Sequence, residues 1–198
     1  MSKNRVEAFS DGVFAIVMTL LILEIRLPEV EYGQLAGALV AALPRVYAYV
    51  ISFAVIGVYW LTHHQSLQLI GKLNSKLILL NLLFLLVVSF MPFPTALLGR
   101  YPLQPLPIVI YGLNLIAANA VGFVVTTYLR RHPELSSGLM HRATHKSMLM
   151  YAFVNISYVL AMLLGYVAPL ASYIIFVLVL ATVIAFYSFT PVPAPAQG

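Results

Sequence analysis

Arg5, Glu7 and Asp11 place three charges at the head of the first hydrophobic segment, and Asp11 runs straight into Gly-Val-Phe-Ala-Ile-Val-Met-Thr-Leu-Leu-Ile-Leu23. An aspartate at mid-bilayer depth costs roughly 2.5–3.5 kcal/mol on insertion scales, less near an interface, so such a residue takes a partner and a task. Ser10 beside it needs a partner for the same reason. Trp60, His63 and His64 stand at i, i+3, i+4 and share one helical face. Asn74, Ser75 and Asn81 follow at the start of the next segment. Two kinds of chemistry suit this set: a hydrogen-bonded staple that fixes helix packing, or a relay in which Asp11 and His63 or His64 carry protons. Nothing in it resembles an enzyme. The chain has no His-Glu-x-x-His zinc motif, no Gly-x-Ser-x-Gly elbow and no cysteine, and its only carboxylates within or bordering a span are Asp11 and Glu24. His63 and His64 diverge by about 100° on a helix, which argues against a metal pair.

The elements that position these residues follow from composition. Of 198 residues 62% are hydrophobic and 9% charged, whereas a soluble domain carries about 25% charged residues. The chain is therefore an integral membrane protein, with the lipid bilayer as its first partner. Four further charge-free stretches follow the first segment, and no small-residue cleavage site does, so it reads as a span and not as a signal peptide. The net charge of +5 does not indicate nucleic acid, because the basic residues lie between hydrophobic segments.

About 20 apolar residues cross the hydrocarbon as a helix. The spans are expected at Phe9–Leu27, within Arg45–Leu61 with a start as early as Leu35, at Lys76–Leu98 and at Leu106–Arg130, followed by two helices after Ser147 separated at Gly165-Tyr-Val-Ala-Pro169. The fold class is thus all-α and polytopic, a single six-helix domain over residues 1–190 with a Pro-rich tail at 191–198. Pro28 and Pro44 read as helix ends. Six spans put both termini on one side with Lys3, Arg5, Lys72, Lys76, Arg130, Arg131, Arg142 and Lys146, against Arg26, Arg45 and Arg100 on the other. That asymmetry places both termini in the cytoplasm of a cell membrane. His132, His141 and His145 lie in the basic His132–Lys146 loop, where their spacing matches no metal-ligand motif and a solvated loop accounts for them.

On the first helix, Ile16, Leu20 and Leu23 form one stripe with Thr19 at its margin, and Asp11 projects roughly 140° from Ile16. Stripe and carboxylate face different neighbours. If the stripe lines a pathway, Asp11 is packed inside the protein and forms no charged ring in it. There is no internal repeat between the halves, which weakens a secondary-transporter reading.

Taken together, Arg5-Val-Glu-Ala-Phe9-Ser10-Asp11, Tyr59-Trp60-Leu-Thr-His63-His64, Leu80-Asn81-Leu-Leu-Phe84 and Met91-Pro92-Phe93-Pro94-Thr95-Ala-Leu-Leu-Gly99 resemble the endosomal and lysosomal potassium channel family of the transmembrane-protein-175 type, in its prokaryotic branch. The matching motifs cover about the first half of the chain. The resemblance implies a potassium-preferring cation channel without a TVGYG filter: a homotetramer of six-helix subunits around a central pore lined by the first helix. It implies a constriction at Ile16, Leu20 and Leu23, a potassium-preferring contribution from Thr19, and a structural polar network of Arg5, Phe9, Ser10, Asp11, Trp60, His63 or His64, and Asn81. It implies no cofactor other than permeant potassium ions. Aliphatic rings of this kind close a pathway by expelling water. Glu24, Glu29 and Glu31 stand near the outer mouth, as a cation-concentrating group or as solvated loop residues. The alternative is an ion-coupled proton/cation secondary transporter.

Overall fold

Charge-free apolar runs leave backbone N–H and C=O groups only one another as partners in hydrocarbon, and helices satisfy them all within a segment. In a computed structural model, which describes residues 2–26, 28–137 and 140–189 without the side chains of 140–147, 187 and 189, the elements are α1 (Lys3–Leu20), α2 (Leu35–Gln68), α3 (Ser75–Ser89), α4 (Pro92–Arg100), α5 (Pro105–Arg131), α6 (Met140–Leu164) and α7 (Pro169–Phe189). Three short 3-10 turns, Leu21–Glu24, Tyr32–Gln34 and Pro133–Leu135, lie in the connections. Among the described residues, five segments are long and apolar enough to cross a membrane, with α3 and α4 counted as one, and Met148–Leu164 of α6 is a shorter apolar stretch.

Several boundaries differ from the sequence expectation. Helix α1 begins at Lys3 instead of Phe9, so the charged motif is itself helical. Pro44 lies inside the 34-residue α2 and does not end it; in a membrane helix, neighbouring groups can take up the carbonyl that a proline leaves free. The third span is broken. Pro92 and Pro94 cannot donate to Val88 and Phe90, four residues back. Those two carbonyls instead accept from Met91 N at 3.0 Å and Phe93 N at 3.1 Å, three-residue bonds that turn α3 into α4. The basic segment after α5 is not a loop throughout, because α6 starts at Met140. His141 and His145, whose side chains lie outside the described residues, stand on that helix, as does the backbone of Arg142 and Lys146. The tail at 191–198 also lies outside the described residues.

Helix α1 packs on α2 and α3, α3 on α5, α5 on α6, α6 on α7, and α7 returns to α2. The main core, around Phe14, Ile56, Ile108, Tyr111, Leu115 and Phe176, fills the space between them. A smaller cluster, Leu67, Ile70, Leu77 and Leu129, closes the end of the bundle where the chain begins. At that end the connections interlock: Gly71 N and Lys72 N donate to Leu135 O, Ser137 N donates to Leu69 O, and Lys3 Nζ donates to Ile70 O at 2.9 Å. Nearer the other end, α4 rests on α2 at Gly99, where a Cβ would stand 2.9 Å from the Cα of Arg45. Only glycine allows that approach.

Candidate functional site

The inward face of α1 is Val6, Ser10, Phe14 and Val17, and it continues to Leu21 in the following turn. Because successive residues turn by about 100°, burying Ser10 sends Phe9 outward on one side and Asp11 toward a seam on the other.

Ser10 is fully buried and gives its proton to Val6 O at 2.8 Å. Its oxygen then accepts from Asn81 Nδ2 of α3 at 3.2 Å, and Asn81 Oδ1 lies 2.7 Å from His63 Nε2 of α2. With the amide nitrogen committed to Ser10, the Asn81 carbonyl can only accept, so His63 carries its proton on Nε2. The imidazole is stacked on Phe84, with centroids 5.5 Å apart and planes 4° from parallel, and stands 5.5 Å from the Phe14 ring. Three helices thus meet in one short chain of hydrogen bonds whose every member is partnered.

A second set of contacts runs along the seam between α1 and α2. Trp60 Nε1 donates to Asp11 Oδ1 at 2.8 Å, and His64 Nδ1 lies 2.9 Å from Glu7 Oε1. The ambiguity between the two histidines resolves into two roles: His63 joins Ser10 and Asn81, and His64 pairs with Glu7. Asp11 departs from the expectation of a packed interior. It is exposed on the single chain, and its carboxylate bonds to Trp60 of α2. Asn74 does not join either set: its side chain caps α3 by accepting from Leu77 N at 2.9 Å, and its amide donates to Tyr128 Oη. Ser75 is exposed at the first position of α3.

Arg5 and Phe9 are not brought into the polar network. Arg5 is exposed, with no side-chain hydrogen bond or ion pair among the described residues. Phe9 is 52% exposed, together with Ile16 at 59%, Leu20 at 44% and Leu23 at 60%, so this whole face of α1 turns away from its own bundle. The spacings of four, seven and eleven residues put Arg5, Phe9 and Ile16 on that one face. Leu23 stays in line although α1 ends at Leu20, because a 3-10 turn eclipses residues three apart. Thr19, also exposed, shares its hydroxyl proton between Ala15 O at 3.0 Å and Ile16 O at 2.8 Å, which leaves its oxygen lone pairs facing outward.

Sequence reasoning missed the Glu7–His64 contact, although its signal was present. Glu7 and Asp11 are one turn apart on one helix, and Trp60 and His64 are one turn apart on the next. Among the described residues no group of three or more His, Asp or Glu is placed to hold a metal ion.

The family described as endosomal/lysosomal potassium channel TMEM175 matches residues 5–92. A potassium channel of Streptomyces collinus is 36% identical over 98% of this chain and 96% of its own length. A potassium channel of a Chryseobacterium species is 34% identical over 85% of each chain. The crystal structure of a lysosomal potassium-selective channel TMEM175 homolog from Chamaesiphon minutus superposes with a TM-score of 0.80 at 30% identity, covering 93% of this chain and 97% of that one.

Proposed function

We propose that this protein is a potassium-preferring cation channel, because the chain belongs to the endosomal/lysosomal potassium channel TMEM175 family. That family is one of ion channels and not of enzymes, and the chain is a multi-pass membrane protein. The observation that carries the reading is the match, over almost the whole of both chains, to a solved potassium-selective channel.

The finer assignments are what the family resemblance implies, with support from the chain's own chemistry. Four copies surround a central path, each contributing the outward face of α1. Support comes from that face being apolar from Phe9 to Leu23 while α1 is held by its opposite side. Ile16, Leu20 and Leu23 form the constriction, which closes by expelling water and conducts when widened. Thr19 supplies the nearest side-chain oxygens, and potassium preference comes from those dipoles and from diameter. Ser10, Asn81, His63, Asp11 and Trp60 hold the helix and carry no current. The permeant ions are potassium, with no cofactor. The protein sits in the cell membrane with both termini cytoplasmic, a reading supported by the basic residues at the end of the bundle where the chain begins.

The test is ion flux by the purified protein in liposomes under defined potassium and sodium gradients. Passive potassium flux exceeding sodium flux is expected. Well-folded protein that carries no flux at several voltages and pH values overturns the reading. Potassium flux that requires a counter-moving proton replaces it with the ion-coupled transporter.

A further inference from the structure

At the end of the bundle where the chain begins, two cations top neighbouring helices at the depth where a membrane's hydrocarbon gives way to headgroups. Lys76 is the second residue of α3 and Arg131 the last of α5. The apolar spans Ser75–Arg100 and Pro105–Arg131 begin and end at these positions. Lys76 Nζ stands 4.6 Å from the centroid of the Tyr128 ring, three residues before Arg131, so the two cations belong to one edge between α3 and α5. Asn74 fixes that corner: its side-chain oxygen accepts from Leu77 N and its amide donates to Tyr128 Oη. Lys72 is tied to it through its backbone N–H, which donates to Leu135 O at 3.1 Å.

Lys72, Lys76 and Arg131 are exposed, and none has a carboxylate partner among the described residues. Helices α3 and α5 contain no Asp or Glu, and neither do residues 69–74. Glu134, in the connection after α5, is taken up by His132 at 3.0 Å. Topology asks only for positive charge in a loop; it does not ask for cations at the ends of two adjoining spans. The surface that continues from them along both helices is apolar. Leu79 and Leu83 stand three and seven residues after Lys76, and Val124 seven before Arg131, so each lies on its cation's stripe. They are 65%, 46% and 45% exposed. A free phosphate would meet the cations and leave that strip bare, whereas an acyl chain covers it.

We infer that the α3–α5 edge binds an anionic phospholipid, with the headgroup phosphate between Lys76 and Arg131, Lys72 at its margin, and an acyl chain along Leu79, Leu83 and Val124. The headgroup supplies the negative charge that this corner lacks, and the planar guanidinium of Arg131 suits phosphate oxygens. The site rests neither on the conduction reading nor on which side of the membrane this end faces.

Binding is measured by native mass spectrometry on the purified full chain, with phosphatidylglycerol or phosphatidylcholine of identical acyl chains added. Phosphatidylglycerol should be retained in preference. Lys76→Gln and Arg131→Gln should each weaken its retention roughly fivefold, the value of one cation at an anionic surface. Lys76→Arg should restore most of it. Arg100→Gln, which removes a cation from the opposite end of the bundle, should leave retention unchanged. Equal retention of the two lipids overturns the proposal, as does an equal loss in Arg100→Gln, which would mark an effect of net charge alone. Displacement of the lipid by inorganic phosphate at constant ionic strength would make this a site for the free anion and overturns the lipid assignment. A structure determined in phosphatidylglycerol nanodiscs should show phosphate density at Lys76 Nζ and the Arg131 guanidinium. Phosphate density only elsewhere, or a second copy of the chain covering the edge, overturns it.

Discussion

The indole N–H of Trp60 donates to the Asp11 carboxylate across 2.8 Å, and one helical turn away on both helices His64 lies 2.9 Å from Glu7. Helices α1 and α2 run antiparallel, so two i, i+4 pairs face each other as successive rungs. Trp60→Phe keeps the ring and removes the donor. The contact is exposed on the single chain, so the loss in the protomer should be modest, about 1 kcal/mol or less in unfolding stability. Potassium over sodium preference should not change. A variant that assembles normally and changes only ion preference would place Asp11 in the pathway.

The buried contacts behind that ladder should matter more. Asn81→Leu strands the Nε2 proton of His63 and should destabilise by about 1–3 kcal/mol. Ser10→Ala removes a hydroxyl that also bonds Val6 O. Because Asn81 bridges Ser10 and His63, the Ser10→Ala and His63→Phe effects should be non-additive by about 0.5 kcal/mol or more in a double-mutant cycle read by denaturant unfolding. Strict additivity would mean that the three side chains do not act as one unit.

Ile16, Leu20 and Leu23 are exposed in the protomer, so polar substitution there costs the protomer little. Leu20→Asn should leave the stability of the isolated subunit within about 0.5 kcal/mol while raising ion leak in liposomes, because a wetted constriction no longer expels water. Arg5→Ala should be similarly silent in protomer stability; elution of the purified protein would show whether its guanidinium serves assembly.

Gly99→Ala tests the crossing of α2 and α4. The added Cβ would meet the Arg45 Cα at 2.9 Å, and a backbone atom cannot swing aside. The variant should lose about 1–3 kcal/mol, the usual cost of overpacking, seen as a lower thermal midpoint. Gly12→Ala, with nothing within 4 Å of its Cβ, is the control and should not be destabilised.

In the connection after α5, a hydrogen bond to its own backbone N–H, followed by the His132 ring at 3.0 Å, holds the Glu134 carboxyl below the usual carboxylate range. A depressed folded value means that the contribution is present above the unfolded value, about 4.3, and is lost as pH falls through the folded one. Thermal stability should therefore dip slightly on acidification through that window. Glu134→Gln should remove the dip.

Much of this protein was legible as a linear pattern. Hydropathy requires helices wherever no water can satisfy the backbone, so the spans and the break before Pro169 follow from composition alone. The angle between Ile16 and Asp11 follows from helical geometry, and so does the separation of an uncharged face from a polar one. Partner choice is different, because it depends on the distances between helices. Either histidine after Trp60 could have met the first helix or the third, and only the packing of α3 against α1 sends His63 to Asn81 and leaves His64 to Glu7. The same packing decided that Asp11 is held at a surface seam, that Phe9 continues the outward stripe, and that Pro44 sits within a helix while Pro92 and Pro94 break one. Those outcomes turn on which neighbour takes up a freed carbonyl or an unpaired proton, and a neighbour is defined only once the bundle has formed.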